Sequence, residues 1–282
     1  MRCDWQSYVN VLPLWMRDYV DKQGRSTLLE LRLRIDSPPE LITTKGSIWI
    51  QKNVERDDLL FCINAASRYS PWTATTVSKG YITAPGGHRL GICGIATIID
   101  QRMTGIRIPT SICFRVAREF SGISNELYHT QGSILIIGKP GSGKTTLLRD
   151  LIRQKSDKES GSICVIDEKN ELFPLGTNGF SFNRGLHTDV LSGCTKPLGI
   201  DIALRNMGPS TIAVDEITAP DDCKALTHAG WCGVTLLATA HAADKIDLMH
   251  RDVYKPLLES RLFDLLVIMQ SDKSWRMERI NI

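Results

Sequence analysis

Ser133-Ile134-Leu135-Ile136-Ile137-Gly138-Lys139-Pro140-Gly141-Ser142-Gly143-Lys144-Thr145 is the stretch on which the fold turns. An apolar run of strand length enters a glycine-rich loop. The loop then opens a helix, because Leu147, Leu148, Leu151 and Ile152 recur at helical spacing through Lys155. Gly138 to Thr145 matches G-x-x-x-x-G-K-[ST] at every position, between the strand and the helix that the motif requires. Glycine lets the backbone curl until successive N–H groups point inward at phosphate oxygens. The helix N-terminus adds a favourable partial charge. The candidate nucleotide-binding residues are therefore Gly138, Lys139, Pro140, Gly141, Ser142, Gly143, Lys144, Thr145 and Thr146. Lys144 sets a cation against the β- and γ-phosphates and so also counts as catalytic, and the Thr145 hydroxyl is a Mg²⁺ ligand.

Downstream, the chain alternates short apolar runs with helical segments. The runs are Ile163-Cys164-Val165-Ile166, Thr211-Ile212-Ala213-Val214, Val234 to Ala238 and Leu265 to Ile268. Continuous apolar strands separated by helices predict a parallel sheet covered on both faces. The expected fold is thus α/β, a P-loop NTPase of the RecA-like (ASCE) kind. The Thr211–Val214 run ends in Asp215-Glu216, at the strand end that faces the ligand crevice of such sheets. There Asp215 is expected to hold Mg²⁺, and Glu216 to orient or deprotonate the attacking water. Asp167-Glu168 ends another strand and reads either as support for the metal or the water, or as a strand-end helix cap or surface acids. His241 follows Leu236-Leu237-Ala238-Thr239 at the same sheet edge, as a γ-phosphate sensor or as a structural histidine. No Asn-Lys-x-Asp occurs, which favours ATP over GTP. Arg89, Arg107, Arg115, Arg118 and Arg205 are candidates for offsetting phosphate charge, with surface ion pairs as the alternative.

Upstream the pattern is less regular. Leu12, Trp15, Met16, Tyr19 and Val20 line one face of an expected helix, which reads as core packing rather than as a membrane-surface face. Leu29 to Ile35 alternates with period two, and 58–69 reads as a helix. Residues 80–83, 89–99 and 112–116 read as strands. The expected division is a smaller α+β domain over 1–131 and a P-loop domain over 132–282, in keeping with a 282-residue length.

Lys and Arg total 34 against 31 Asp and Glu, a net charge of +3, which excludes a strongly basic nucleic-acid coat or an acidic tail. The eight cysteines are scattered with no C-x-x-C pair, as expected of reduced core thiols in a cytoplasmic protein. The first residues lack the apolar core of a signal peptide, and no apolar run approaches a membrane span.

With these residues in place the sequence resembles the stage III sporulation protein AA family of endospore-forming Firmicutes, which is related to the ATPases of type II and type IV secretion. The resemblance is carried by Leu29 to Arg34, Gly80 to Thr83, Gly86-Gly-His-Arg-Leu-Gly91 and Arg115 to Glu119. It continues through the P-loop, Val165 to Glu168, Thr188 to Leu191, Asp215 to Ile217, His228 to Gly230 and Ala238 to His241. It implies an N-terminal α+β domain against a RecA-like ATPase domain, and a homo-oligomeric ring, a hexamer. It also implies that Arg89 and Arg115 reach the phosphates, and that Glu168 and His241 match acidic and histidine boxes. The implied role is an ATP-hydrolysing motor at the cytoplasmic face of a membrane, with membrane proteins of a sporulation channel complex as partners. Two departures remove a cation: His187 stands where the family has arginine, and Thr218-Ala219 where it has Gly-Arg. The other readings are a RecA-like nucleic-acid-binding NTPase, although no specific nucleic acid is expected, and a structural ring that binds nucleotide without hydrolysis.

Overall fold

Asp4 accepts a hydrogen bond from the Ser7 N–H (3.3 Å) and so caps the first helix. In the computed structural model, which describes residues 1–68, 80–158, 161–176 and 179–280, two units emerge. The first comprises Met1–Glu119 with Pro174–Ser181, and the second Phe120–Phe173 with Phe182–Ile282.

The first unit begins with α1 (Trp5–Asn10), α2 (Leu14–Asp21), β1 (Leu28–Arg34), β2 (Glu40–Thr43) and β3 (Gly46–Trp49). It continues with α3 (Arg56–Ser67), β4 (Tyr81–Thr83), β5 (Arg89–Ile99) and β6 (Arg102–Arg115). The strands form an antiparallel sheet in the order β3-β2-β1-β6-β5-β4. On α2, Met16 and Val20 are buried as the periodicity predicts, but Tyr19 is exposed. On β1, Leu31 and Leu33 are buried, whereas Leu29 faces outward and Leu28 inward. A register shift against β2 between Leu28 and Glu30 breaks the alternation there. The end of the expected 58–69 helix lies outside the described residues. The core centres on Tyr8, whose ring stacks on Phe114 at 4.1 Å and whose hydroxyl donates to Phe114 O at 2.8 Å. His88 meets the Tyr8 ring edge-on at 5.0 Å. Its Nδ1 accepts from Ala117 N–H (2.9 Å), so Nε2 carries the proton that is donated to Asp4 O (2.8 Å).

The second unit carries β7 (Ile134–Ile137), α4 (Lys144–Lys158) and β8 (Ile163–Asp167). The short β9 (Leu175–Gly176) and β10 (Gly179–Phe180) follow in the chain but belong to the first unit. The second unit resumes with β11 (Thr188–Ser192), α5 (Lys196–Asn206), β12 (Thr211–Ile217), α6 (Pro220–Trp231) and β13 (Thr235–Ala240). It ends with α7 (Lys245–His250), α8 (Lys255–Glu259), β14 (Leu265–Met269) and β15 (Trp275–Arg279). The sheet order is β11-β8-β12-β13-β7-β14-β15. Every neighbour is parallel except β15, which pairs antiparallel with β14. All four residues of β7 are buried, as a strand covered on both faces must be. Alternate residues such as Leu135, Ile137, Ile166, Ile212 and Val214 join a core with Ile200 and Ala203 of α5 and Leu226 and Ala229 of α6.

The division of the chain differs from the expected 131/132. Segment 120–131 belongs to the second unit because a buried polar network ties it to α4. Ser124 N–H and Oγ both donate to Asp150 Oδ2 at 2.9 Å, Gln154 donates to Ser124 Oγ at 2.7 Å, and Lys155 donates to Thr130 O at 2.9 Å. Cysteines 62, 164 and 223 are buried free thiols, but Cys93 and Cys232 are exposed, so not all eight are core residues. Among the described residues, no helix is long and apolar enough to cross a membrane.

Candidate nucleotide site

β7 delivers the chain into the glycine loop at Gly138, where a side chain has no room. A Cβ there would lie 2.6 Å from Ser142 Oγ and 2.8 Å from Met269 Cβ. Gly141 (φ +73°) and Gly143 (φ +102°) occupy backbone conformations that favour glycine. Ser142 Oγ is buried inside this loop with no hydrogen-bond partner in the described structure. A tight cradle holding an unspent polar atom fits an oxygen-rich ligand. Lys139, Pro140 and Gly141 form the exposed rim, and Thr146 is the half-buried third residue of α4.

Lys144, buried, folds back over the loop. Its Nζ donates to Gly138 O (2.9 Å) and Lys139 O (3.1 Å) and lies 3.1 Å from His241 Nδ1. Burial pulls its pKa down, while Asp215 and Glu216 pull it back up. An ammonium can only donate, so His241 Nδ1 accepts, and the ring proton sits on Nε2. That Nε2–H faces Glu216 Oε1 at 2.9 Å. A continuous chain therefore runs from Lys144 through His241 to Glu216. Next to it, Thr145 Oγ1 donates to Asp215 Oδ2 at 2.9 Å.

Consecutive strand residues point to opposite faces, so Asp215 and Glu216 cannot both serve this cluster from a regular strand. A register shift against β13 between Val214 and Ile217 resolves the conflict. Glu216 adopts φ +49°, left-handed backbone that a glutamate rarely takes. Thr239, fully buried on β13, holds the distortion. Its Oγ1 accepts from Glu216 N–H (2.7 Å) and donates to Asp215 Oδ1 (2.6 Å). Burial would raise the Glu216 carboxyl, but Lys169 and His241 outweigh it and the pKa falls below the ordinary range.

The structure thus brings together Lys144, Thr145, Asp215, Glu216 and His241. It treats the other predicted residues differently. Asp167 is almost fully buried and spends its carboxylate on the N–H groups of Glu171 (2.8 Å), Leu172 (3.0 Å) and Phe173 (2.9 Å). Burial pushes its pKa up to about 6 despite these bonds. Glu168 pairs with Lys196 Nζ at 2.7 Å and lines a cavity of about 730 Å³ with Thr195, Asp201, Thr218, Asp222 and His228. Arg89 and Arg115 face each other across β5 and β6 in the first unit. There Arg89 covers the Tyr81 ring at 4.1 Å and Arg115 pairs with Glu30 at 3.3 Å. Arg118 binds Leu28 O and donates to Arg25 O at 2.7 Å, and Arg205 pairs with Asp201 at 2.8 Å. His187 donates its N–H to Ser156 Oγ (2.8 Å), and Thr218 N–H binds Asp222 Oδ2 (3.0 Å) at the start of α6. Sequence reasoning missed Thr239, Lys169 and the buried Lys196. Thr239 stands two residues before His241 in the quoted Ala238 to His241 run, and that proximity was the available signal.

A glycine cradle between β7 and α4, two acids near the C-terminal end of β12, and β13 inserted between those strands define a P-loop nucleotide-binding fold. Two solved structures share that fold. DotB of Legionella pneumophila is 16% identical, with 95% of this chain and 80% of that chain covered at a TM-score of 0.63. The pilus retraction motor PilT, solved with bound ADP, is 14% identical, with 90% and 77% covered at 0.60. Within the P-loop fold the chain belongs to the family "Sporulation stage III, protein AA", whose model matches residues 6–279. Stage III sporulation protein AA of Bacillus subtilis (strain 168) is 34% identical over 267 residues, which is 90% of this chain and 87% of that protein.

Proposed function

We propose that the chain binds Mg·ATP in the Gly138–Thr146 cradle and hydrolyses it. In this reading a homo-oligomeric ring, a hexamer, converts the turnover into motion for a channel complex of endospore formation. It would work with membrane proteins at the cytoplasmic face of a membrane, as a peripheral rather than a spanning component. The reading leans most on one observation, the convergence of Lys144, Thr145, Asp215, Glu216 and His241 on a single point. Thr145 Oγ1 and Asp215 Oδ2 are hard oxygen donors side by side, the chemistry that Mg²⁺ selects. The ion would offset phosphate charge when bound. Lys144 exchanges its loop carbonyls for phosphate oxygens, and the inward N–H groups of the loop orient the phosphate chain. Glu216 takes the proton of the attacking water on a carboxylate oxygen. His241, its proton fixed on Nε2, orients that carboxylate through Oε1. Family membership, and a fold shared with the ATPase DotB and the pilus retraction motor PilT, support the motor role.

The test pairs two variants of the full chain. Lys144→Ala is expected to abolish ATP binding. Glu216→Gln is expected to keep ATP binding and to lose turnover. Hydrolysis by Glu216→Gln at the wild-type rate would remove Glu216 from the mechanism. Binding without phosphate release in the wild type would favour the structural ring.

A further inference from the structure

The turn after β8 is fixed from two sides. The Asp167 carboxylate accepts the N–H groups of Glu171, Leu172 and Phe173, and Asn170 N–H reaches Asp167 O at 3.1 Å. Arg149 of α4 donates from Nε to Leu172 O (2.7 Å) and from Nη2 to Glu171 O (2.8 Å). Asn170, at φ +55°, makes the left-handed step that closes the turn. A turn held at both its N–H and its C=O groups presents the residues it carries in a set direction. The residue presented is Lys169, and its ammonium pairs with Oε2 of Glu216. The other oxygen, Oε1, accepts from His241. Both oxygens of the carboxylate are therefore engaged by donors, one of them a full positive charge.

We infer that Lys169 is a positioning residue that restrains Glu216, holding hydrolysis down until its ion pair with Oε2 opens. The inference rests on the reading of Glu216 as the base. A carboxylate oxygen held by an ammonium points at that ammonium rather than at water. The pair is also open to solvent. The Lys169 side chain is 44% exposed and that of Glu216 29%, so water screens the pair and competes for the ammonium. Lys169 lies outside G-x-x-x-x-G-K-[ST] and outside the Asp-Glu ending of β12, so neither motif reveals it.

The experiment measures steady-state ATP hydrolysis with Mg²⁺ by the full chain, as wild type, Lys169→Met, Lys169→Arg and Glu216→Gln, with a melting curve for each. Loss of a half-exposed charged pair is expected to raise kcat about 3–10-fold and to leave KM for ATP within about twofold. Lys169→Arg, which restores the cation, is expected to return kcat to the wild-type value. A folding defect moves neither parameter in this pattern. If Lys169→Met is equal to or slower than wild type while Glu216→Gln is inactive, the restraint is overturned and the base reading stands. If Glu216→Gln matches wild type, both fall together. If every variant binds a fluorescent ATP analogue and none hydrolyses ATP, both fall as well.

Discussion

Thr239→Val removes one hydroxyl and keeps the shape of the side chain, so it isolates what that hydroxyl does. Thr239 Oγ1 holds Asp215 Oδ1 at 2.6 Å and Glu216 N–H at 2.7 Å. A hydrogen bond to a charged group contributes about 1.5–3 kcal/mol, and a buried donor left unpaired costs about 1–3 kcal/mol. The two effects share one side chain and do not add in full, so the expected loss is ~2–4 kcal/mol. The left-handed backbone at Glu216 adds about 1–2 kcal/mol of strain that these bonds offset. In a unit of this size the loss corresponds to a fall of roughly 5–15 °C in Tm. Scanning calorimetry of the full chain reads the transition of the second unit. ATP binding and hydrolysis are measured on the same sample. Turnover should drop far more than affinity, because Lys144 and the glycine loop are untouched. Thr239→Ser, which keeps the hydroxyl, should stay near wild type in both. A Thr239→Val chain that melts within about 1 °C of wild type and hydrolyses ATP at the same rate would refute this account of the register shift.

Gly138→Ala places a Cβ against Ser142 Oγ and Met269 Cβ, and should cost about 1–3 kcal/mol and weaken ATP binding, as titration with a fluorescent analogue would show. Burial keeps His88 neutral by lowering its pKa, although its bond to Asp4 pulls the other way. The unfolded chain takes up that proton near the ordinary value of 6.5 and the folded one does not, so His88 contributes stability above about 6.5 that is lost as pH falls toward its lower folded value. Urea midpoints for the first unit should therefore drop on acidification, and less steeply in His88→Gln. Asp150→Ala strips a buried carboxylate from Ser124, Gln154 and Arg153, and should destabilise the second unit by about 3–5 kcal/mol in the same titration.

The P-loop, the apolar strands and the Asp-Glu pair were legible because each is a local pattern in which neighbours in sequence carry the chemistry. Lys144, Thr145 and Asp215 meet as a parallel sheet predicts. The role of Thr239 was not legible. It depends on a backbone irregularity at Glu216, and no residue type announces one there, since glutamate is not the residue that left-handed backbone prefers. The divergence of Asp167 and Glu168 was hidden for a related reason. Two adjacent acids look equivalent in sequence, yet one is buried under three N–H groups and the other salt-bridged to Lys196, a partner 28 residues away. The units part at Glu119/Phe120 rather than 131/132, and the Ser124–Asp150 network that ties residue 124 to α4 is polar, which hydropathy does not register.

The chain passes between its two units more than once. Pro174–Ser181, which carries β9 and β10, is claimed by the first unit although it follows β7, α4 and β8 of the second. During synthesis the first unit therefore lacks a piece until residue 181 has emerged, by which time the glycine loop is already exposed. Completion of the first unit thus waits on a stretch of chain that follows β7, α4 and β8 of the second. A single cut between Glu119 and Phe120 does not separate the units either, because it leaves eight residues of one stranded in the other.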